Sequence, residues 1–144
     1  LPELAVGGCT VRVIMGEAYG RVSPVKTYSP TLYLEVRAPR GASLALPKTP
    51  ELAIYIVTGS IAIAGNEYRE GTLAVAAADS AVALTATSDS RLMVLGGLGV
   101  GPRHIWWNFV SSSEARIERA RQDWKLGRFA AVPGESELIP LPEY

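Results

Sequence analysis

Residues 1–110 predict an all-β fold, an antiparallel sandwich or barrel, and residues 111–144 predict a helix followed by an irregular tail. Three observations carry this. Short runs rich in β-branched residues recur through the first hundred positions. Turn residues separate them at close intervals. The hydrophobic period then changes once, at the serine run 111–113.

The strand runs are VRVIM (11–15), TLYLEV (31–36), LAIYIV (52–57), SIAIA (60–64), TLAVAA (72–77), AVALTA (81–86) and RLMVLG (91–96). Breakers fall between them at Pro39-Arg40-Gly41, Gly59, Gly65-Asn66, Glu70-Gly71 and Asp89. Seven close-spaced strands without intervening helices favour antiparallel pairing over a βαβ sheet. In 31–36 the alternation is plain: Leu32, Leu34 and Val36 face one way, Tyr33 and Glu35 the other, with Arg37 continuing the second series. LAIYIV is apolar on both sides, so both of its faces need cover. One cover is the barrel interior; the other would be a second sheet, a second domain or a partner chain.

From Ser111 the sequence reads Ser-Ser-Ser-Glu, a capping-box pattern ending at Glu114. Ile117, Ala120 and Trp124 then form an apolar helical stripe. Gly127 is the expected stop, and Arg119 and Asp123 are placed to pair. Trp106 and Trp107 cannot both point inward if they sit on one regular strand.

With 144 residues, 48% of them hydrophobic and 19% charged, the chain predicts one folded domain. Fourteen basic and fourteen acidic residues give zero net charge, which offers no long-range pull on nucleic acid or an anionic membrane. No apolar run reaches the roughly 20 residues of a membrane span. Cys9 is the only cysteine, so no internal disulfide forms, and a cytoplasmic setting is expected.

His104 is the only histidine. A hydrolytic triad would have to recruit Asp79, Asp89 or Asp123, with no nucleophile-elbow motif present. A mononuclear metal site would combine His104 with carboxylates such as Glu17 or Glu51. The glycines of 96–101 lack the Lys-Ser/Thr of a phosphate loop and precede a strand rather than a helix, so they read as a flexible connection. The basic residues of the helix are interrupted by Glu114, Glu118 and Asp123 and read as a solvated face.

PRHIWWNFVSSSEARIERARQDW (102–124) resembles the strand and C-terminal helix of the pirin family, two-domain members of the cupin superfamily. VRVIMGEAYGRVSPVKTYSPTLYLEVRAPRGASLALP (11–47), GNEYREGTLAV (65–75) and ESELIPLPE (135–143) extend the resemblance over nearly the whole chain. It implies a cupin-type barrel or jelly roll, the C-terminal half of a bacterial pirin-like protein, with the helix packed on it. It further implies that iron, on three His and one Glu, belongs to an N-terminal half. The resemblance also implies that some bacterial members of the family open quercetin with dioxygen and that nuclear ones act as transcriptional cofactors.

Counting back from Gly59, Glu51 stands where the metal-bearing half has its glutamate, while Ala45 and Pro47 stand where histidines would be. Residues 76–82 supply no second-signature histidine. The expectation is therefore a chain with no catalytic residue, no metal and no cofactor of its own. It would be a companion to an N-terminal cupin half or would pair with a second copy of itself, the parent protein being quercetinase-like or a small-ligand or protein-binding barrel. Glu51, Tyr33, Tyr55, Arg103 and His104 are the polar groups expected to line a residual pocket.

Overall fold

In the computed structural model, which describes residues 1–137 and 139–142, every strand run named above becomes a strand. The chain runs β1 (Glu3–Val6), β2 (Cys9–Met15), a small hairpin of β3 (Glu17–Ala18) and β4 (Arg21–Val22), β5 (Thr31–Ala38) and β6 (Ser43–Ala45). It continues through β7 (Glu51–Thr58), β8 (Ser60–Ile63), β9 (Asn66–Arg69), β10 (Leu73–Val75), β11 (Ala83–Ala86) and β12 (Ser90–Gly97). A six-stranded antiparallel sheet has the order β1-β2-β5-β12-β7-β10, and a four-stranded one β6-β11-β8-β9.

Alternation decides what each sheet buries. Val11 and Val13, Leu34 and Val36, Ile54 and Ile56, and Leu92 and Val94 enter the core from the large sheet. Leu44, Ile61 and Leu84 enter it from the small one, and all belong to a single apolar cluster. The interior is thus filled with aliphatic side chains. Leu34, Ile56 and Leu92 are wholly removed from water.

Two compact units divide the chain at Val100 and Gly101. The tryptophan segment, which folds back on itself, lies in the second unit with the helix, the division falling ten residues before residue 110. β13 (His104–Trp106) and β14 (Phe109–Ser111) form a hairpin closed by Trp107 and Asn108. Trp107 sits at φ 51°, and this reversal is how both tryptophans come to be half-buried. Their rings join Phe109, Trp124 and Phe129 in one aromatic group, with Trp107 and Trp124 edge to face at 5.2 Å.

α1 (Glu114–Lys125) starts two residues later than the capping-box pattern implies. Ser113 is the N-cap without a side-chain cap bond, and Ser111 Oγ instead accepts the Ser113 N–H at 3.1 Å. Glu114 is therefore at the first helical position, where its charge still suits the helix dipole. Ile117 is buried, and Ala120 and Trp124 are half-buried, as the stripe requires. The end is a Schellman motif: Gly127 at φ 62° donates to Trp124 O, and Arg128 N–H donates to Asp123 O at 2.8 Å. Asp123 pairs with Arg128 rather than with Arg119. Leu138 and Glu143, part of the segment 135–143 used above, lie outside the described residues.

Trp124 is half-buried, and its Nε1 donates to Ile139 O at 2.8 Å. Trp124→Ala should therefore cost about 2–3 kcal/mol, short of the range for a fully buried ring. Ile56→Ala should cost about 3–4 kcal/mol. Urea unfolding followed by far-ultraviolet circular dichroism measures both, and an Ile56→Ala loss smaller than that of Trp124→Ala would contradict the packing described.

Candidate interaction face on the six-stranded sheet

The residues that alternate with the core line the outer face of the large sheet, and register sorts them into rows. One row crosses five strands: Met15, Tyr33, Leu95, Ala53 and Val75. The adjacent row carries Met93, Tyr55 and Leu73 on β12, β7 and β10. Val75 is 74% exposed, Leu73 54%, Leu95 43% and Tyr55 40%, which makes a contiguous apolar stripe in contact with water. Stripes of this kind mark interaction surfaces. β7 is apolar on both sides as expected; its inner side is buried, while on the outer side Ala53 and Val57 are half-buried and Tyr55 is exposed.

The second row turns ionic toward β1 and β2, continuing through Glu35, Arg12 and Glu3. Glu35 is buried although it faces outward, and three arginines explain this. Arg91 Nε donates to its Oε1 at 2.8 Å, Arg12 Nη1 to its Oε2 at 3.1 Å, and Arg37 Nη2 to Oε1 at 3.4 Å. Arg12 also holds Glu3 at 2.7 Å. Burial pushes the Glu35 carboxyl upward, but the Arg91 hydrogen bond and the Arg37, Arg91 and Arg12 charges outweigh it, so it lies below its ordinary value. The side chains of Arg37 and Arg91 remain about half exposed.

At the opposite end of the face a groove of about 740 Å³ runs between the apolar stripe and the loop that follows β12. Glu51, Tyr33, Leu95, Val75 and Val100 line it. A Cβ on Gly99 would lie 2.8 Å from Glu51 Oε1, a contact the carboxylate end of that exposed side chain can relieve. Gly96 and Gly97 end β12, and residues 98–101 follow exposed and outside any strand, as a connection would.

This two-sheet barrel has clear relatives. Residues 33–130 match the pirin C-terminal cupin domain. A pirin-like protein of Caulobacter vibrioides is 46% identical over 145 residues, covering 99% of this chain and 50% of its own. The chain belongs to the pirin family. A Pseudomonas aeruginosa protein named as a candidate quercetin 2,3-dioxygenase is 35% identical, covering 83% of this chain and 43% of its own. A crystal structure of quercetin 2,3-dioxygenase from Acinetobacter baumannii has the same fold, with TM-score 0.82 and 21% identity, covering 100% of this chain and 50% of that one. This pirin domain therefore spans about half the length of the relatives it matches.

The structure brings together only some of the polar groups expected to line a pocket. Glu51 and Tyr33 share the groove, and Tyr55 lies on the same face beyond it. Arg103 and His104 are in the second unit, both exposed, with Arg103 bonded to the Pro102 carbonyl. His104 borders a separate cavity of about 540 Å³ with Trp106, Glu118 and Arg121. There Arg121 lies over the Trp106 ring at 4.5 Å and pairs with Glu118 at 2.8 Å. The Gln122 amide, then Arg121, hold the Glu118 carboxyl below its ordinary range against some desolvation.

Glu51 is exposed at the start of β7. Counting from Gly59 locates a position along β7 but not its side: Leu52, Ile54 and Ile56 point inward, and Glu51 points out. Likewise Leu44 and Leu46 are buried, while Ala45 is exposed and Pro47 half-buried. None of these inward residues carries a donor atom, so the residues present do not fit a cupin iron site. Among the described residues no group of three His, Cys, Asp or Glu comes together, Glu17 and His104 included. Burial raises the Cys9 thiol, which suits an inert core residue. Burial and then the neighbouring Cys9 push Tyr19 up to about 12, and its hydroxyl donates to Ala45 O at 2.8 Å.

The Glu35 cluster was not anticipated from the sequence, and it has a measurable consequence. Glu35→Gln should cost about 1–2 kcal/mol at neutral pH, the half-exposed arginines recovering hydration when released. Because the folded carboxyl lies below its ordinary value of 4.5, its stabilisation is full above the unfolded value. It fades as pH falls through the lowered one. The stability gap between wild type and variant in urea titrations should therefore close in strong acid; a gap constant with pH would mean the ion pairs contribute nothing.

Proposed function

We propose that this chain is a metal-free companion half that packs against a metal-bearing N-terminal cupin half. One observation carries the reading: the barrel interior is filled by aliphatic side chains, with Cys9 its lone thiol and no histidine, while the outer face of the six-stranded sheet carries an exposed apolar stripe. Relatives of about twice the length have room for such a partner. The docked half would take the exposed stripe of Tyr55, Leu73, Val75 and Leu95 out of water, and Arg37 and Arg91 would form a polar rim. Zero net charge supports a protein partner over nucleic acid, and a lone buried thiol supports a reducing cytoplasm.

A second reading concerns the whole protein. The names of the Pseudomonas and Acinetobacter relatives support a flavonol dioxygenase in which iron and the oxygen chemistry belong to the N-terminal half. This domain would then shape and shield that site without touching the reacting atoms.

Elemental analysis of the purified chain after iron loading should find no stoichiometric metal. Mixed with the N-terminal half of the Caulobacter vibrioides relative, it should form a one-to-one complex in light scattering that Leu95→Glu abolishes. One tightly held iron per chain, or flavonol-dependent oxygen uptake by this chain alone, would overturn the companion reading.

A further inference from the structure

In the tail, Ile139-Pro140-Leu141-Pro142 alternates apolar residues with prolines. Proline has a fixed φ and no N–H, and it drives the residue before it into extended backbone. Ile139 and Leu141 each precede a proline, so the segment is held extended by its own covalent structure. Its carbonyls need donors from elsewhere. Trp124 supplies one: the indole Nε1–H donates to Ile139 O at 2.8 Å. Among the described residues that is the one hydrogen bond that residues 139–142 make. Ile139 is 58% exposed and Pro140 is exposed, while Leu141 and Pro142 are half-buried. Trp124 is itself the centre of an aromatic platform. Its ring centroid lies 5.2 Å from Trp107, 6.2 Å from Phe109 and 5.5 Å from Phe129. Trp107, Phe109 and Trp124 are half-buried and Phe129 is exposed, so these rings keep surface that a ligand can cover.

We infer that this platform is a binding site for extended, proline-containing peptides, with residues 139–142 as its resident ligand. An indole N–H aimed at the carbonyl of an X-Pro bond, set among aromatic rings, is a recognition mode for proline-rich segments. The partner class is therefore an apolar-Pro-apolar-Pro segment of another protein. Such a segment is extended before it binds, so little ordering entropy opposes its docking. The tail competes from a tether, the chain between Gly127 and Ile139, which raises its effective concentration. A single hydrogen bond and two exposed residues make the docked tail easy to open locally. The tail thus covers the site until a partner segment replaces it. The site lies within the second unit and shares no residue with the sheet face, so it is independent of the companion reading.

A fluorescein-labelled peptide with the sequence of residues 137–143 tests this by polarisation on the whole chain. Pro140→Gly/Pro142→Gly frees the tail from its extended form and weakens it as a competitor. That chain should bind the peptide about tenfold more tightly than wild type. In the same background Trp124→Phe, which keeps a ring and removes the indole N–H, should weaken binding about fivefold. A peptide with both prolines replaced by alanine should bind about tenfold more weakly, an arm that leaves the protein unchanged. All three tryptophans lie in the aromatic group, so tryptophan fluorescence should shift on binding and place the peptide there. No binding to the Pro140→Gly/Pro142→Gly chain overturns the proposal, as does equal affinity for that chain and wild type. Binding indifferent to Trp124→Phe or to the prolines of the peptide overturns it too. Should circular dichroism show Trp124→Phe unfolded, the alanine peptide decides.

Discussion

Everything else in this barrel depends on the contact between two aliphatic sheet faces. Leu34, Ile54, Ile56, Leu92 and Val94 of the large sheet meet Leu44, Ile61 and Leu84 of the small one in a single cluster. Burial of such side chains is worth roughly 1.5–3 kcal/mol each before entropy is counted. Because the strand period is two, committing these residues inward commits their neighbours outward. Glu51, Tyr55, Leu95 and the Glu35 cluster lie where they do for that reason. A cavity for a metal would require polar donors on the inner series, and that series is spent on packing.

The strands were legible because each carries a local pattern, and so was the stripe of Ile117 and Trp124. The side a residue faces was legible only where alternation was unbroken, as in 31–37. It was silent at Glu51, whose strand is apolar on both sides and gives no parity signal. The Glu35 cluster was hidden for a different reason. Glu35, Arg12 and Arg91 come from three strands, and only the register of β2, β5 and β12 reveals that they meet. The hairpin at Trp107 escaped because a tryptophan at positive φ is disfavoured locally. Its ring contacts with Trp106, Phe109 and Trp124 outweigh that cost.

The division of labour follows from these placements. A barrel that fills its centre with aliphatic residues gives up chemistry at that centre and keeps its two sheet faces as the surfaces available for use. The inner faces hold the fold. The outer face of the large sheet carries the exposed apolar stripe and, beside it, the Glu35 cluster.

The Glu35 cluster also bears on how the sheet ends. β1 is a four-residue edge strand, and its outward Glu3 is tied by Arg12 into a chain of charges reaching β12. An open edge offers unpaired backbone groups to any passing strand, and short length with fixed charge is the usual protection. The same ion pairs also oppose a one-residue slip of β5, which would carry Glu35 into the aliphatic core. The cluster thus opposes fibrous growth and misregistered folding at the border of the exposed apolar stripe.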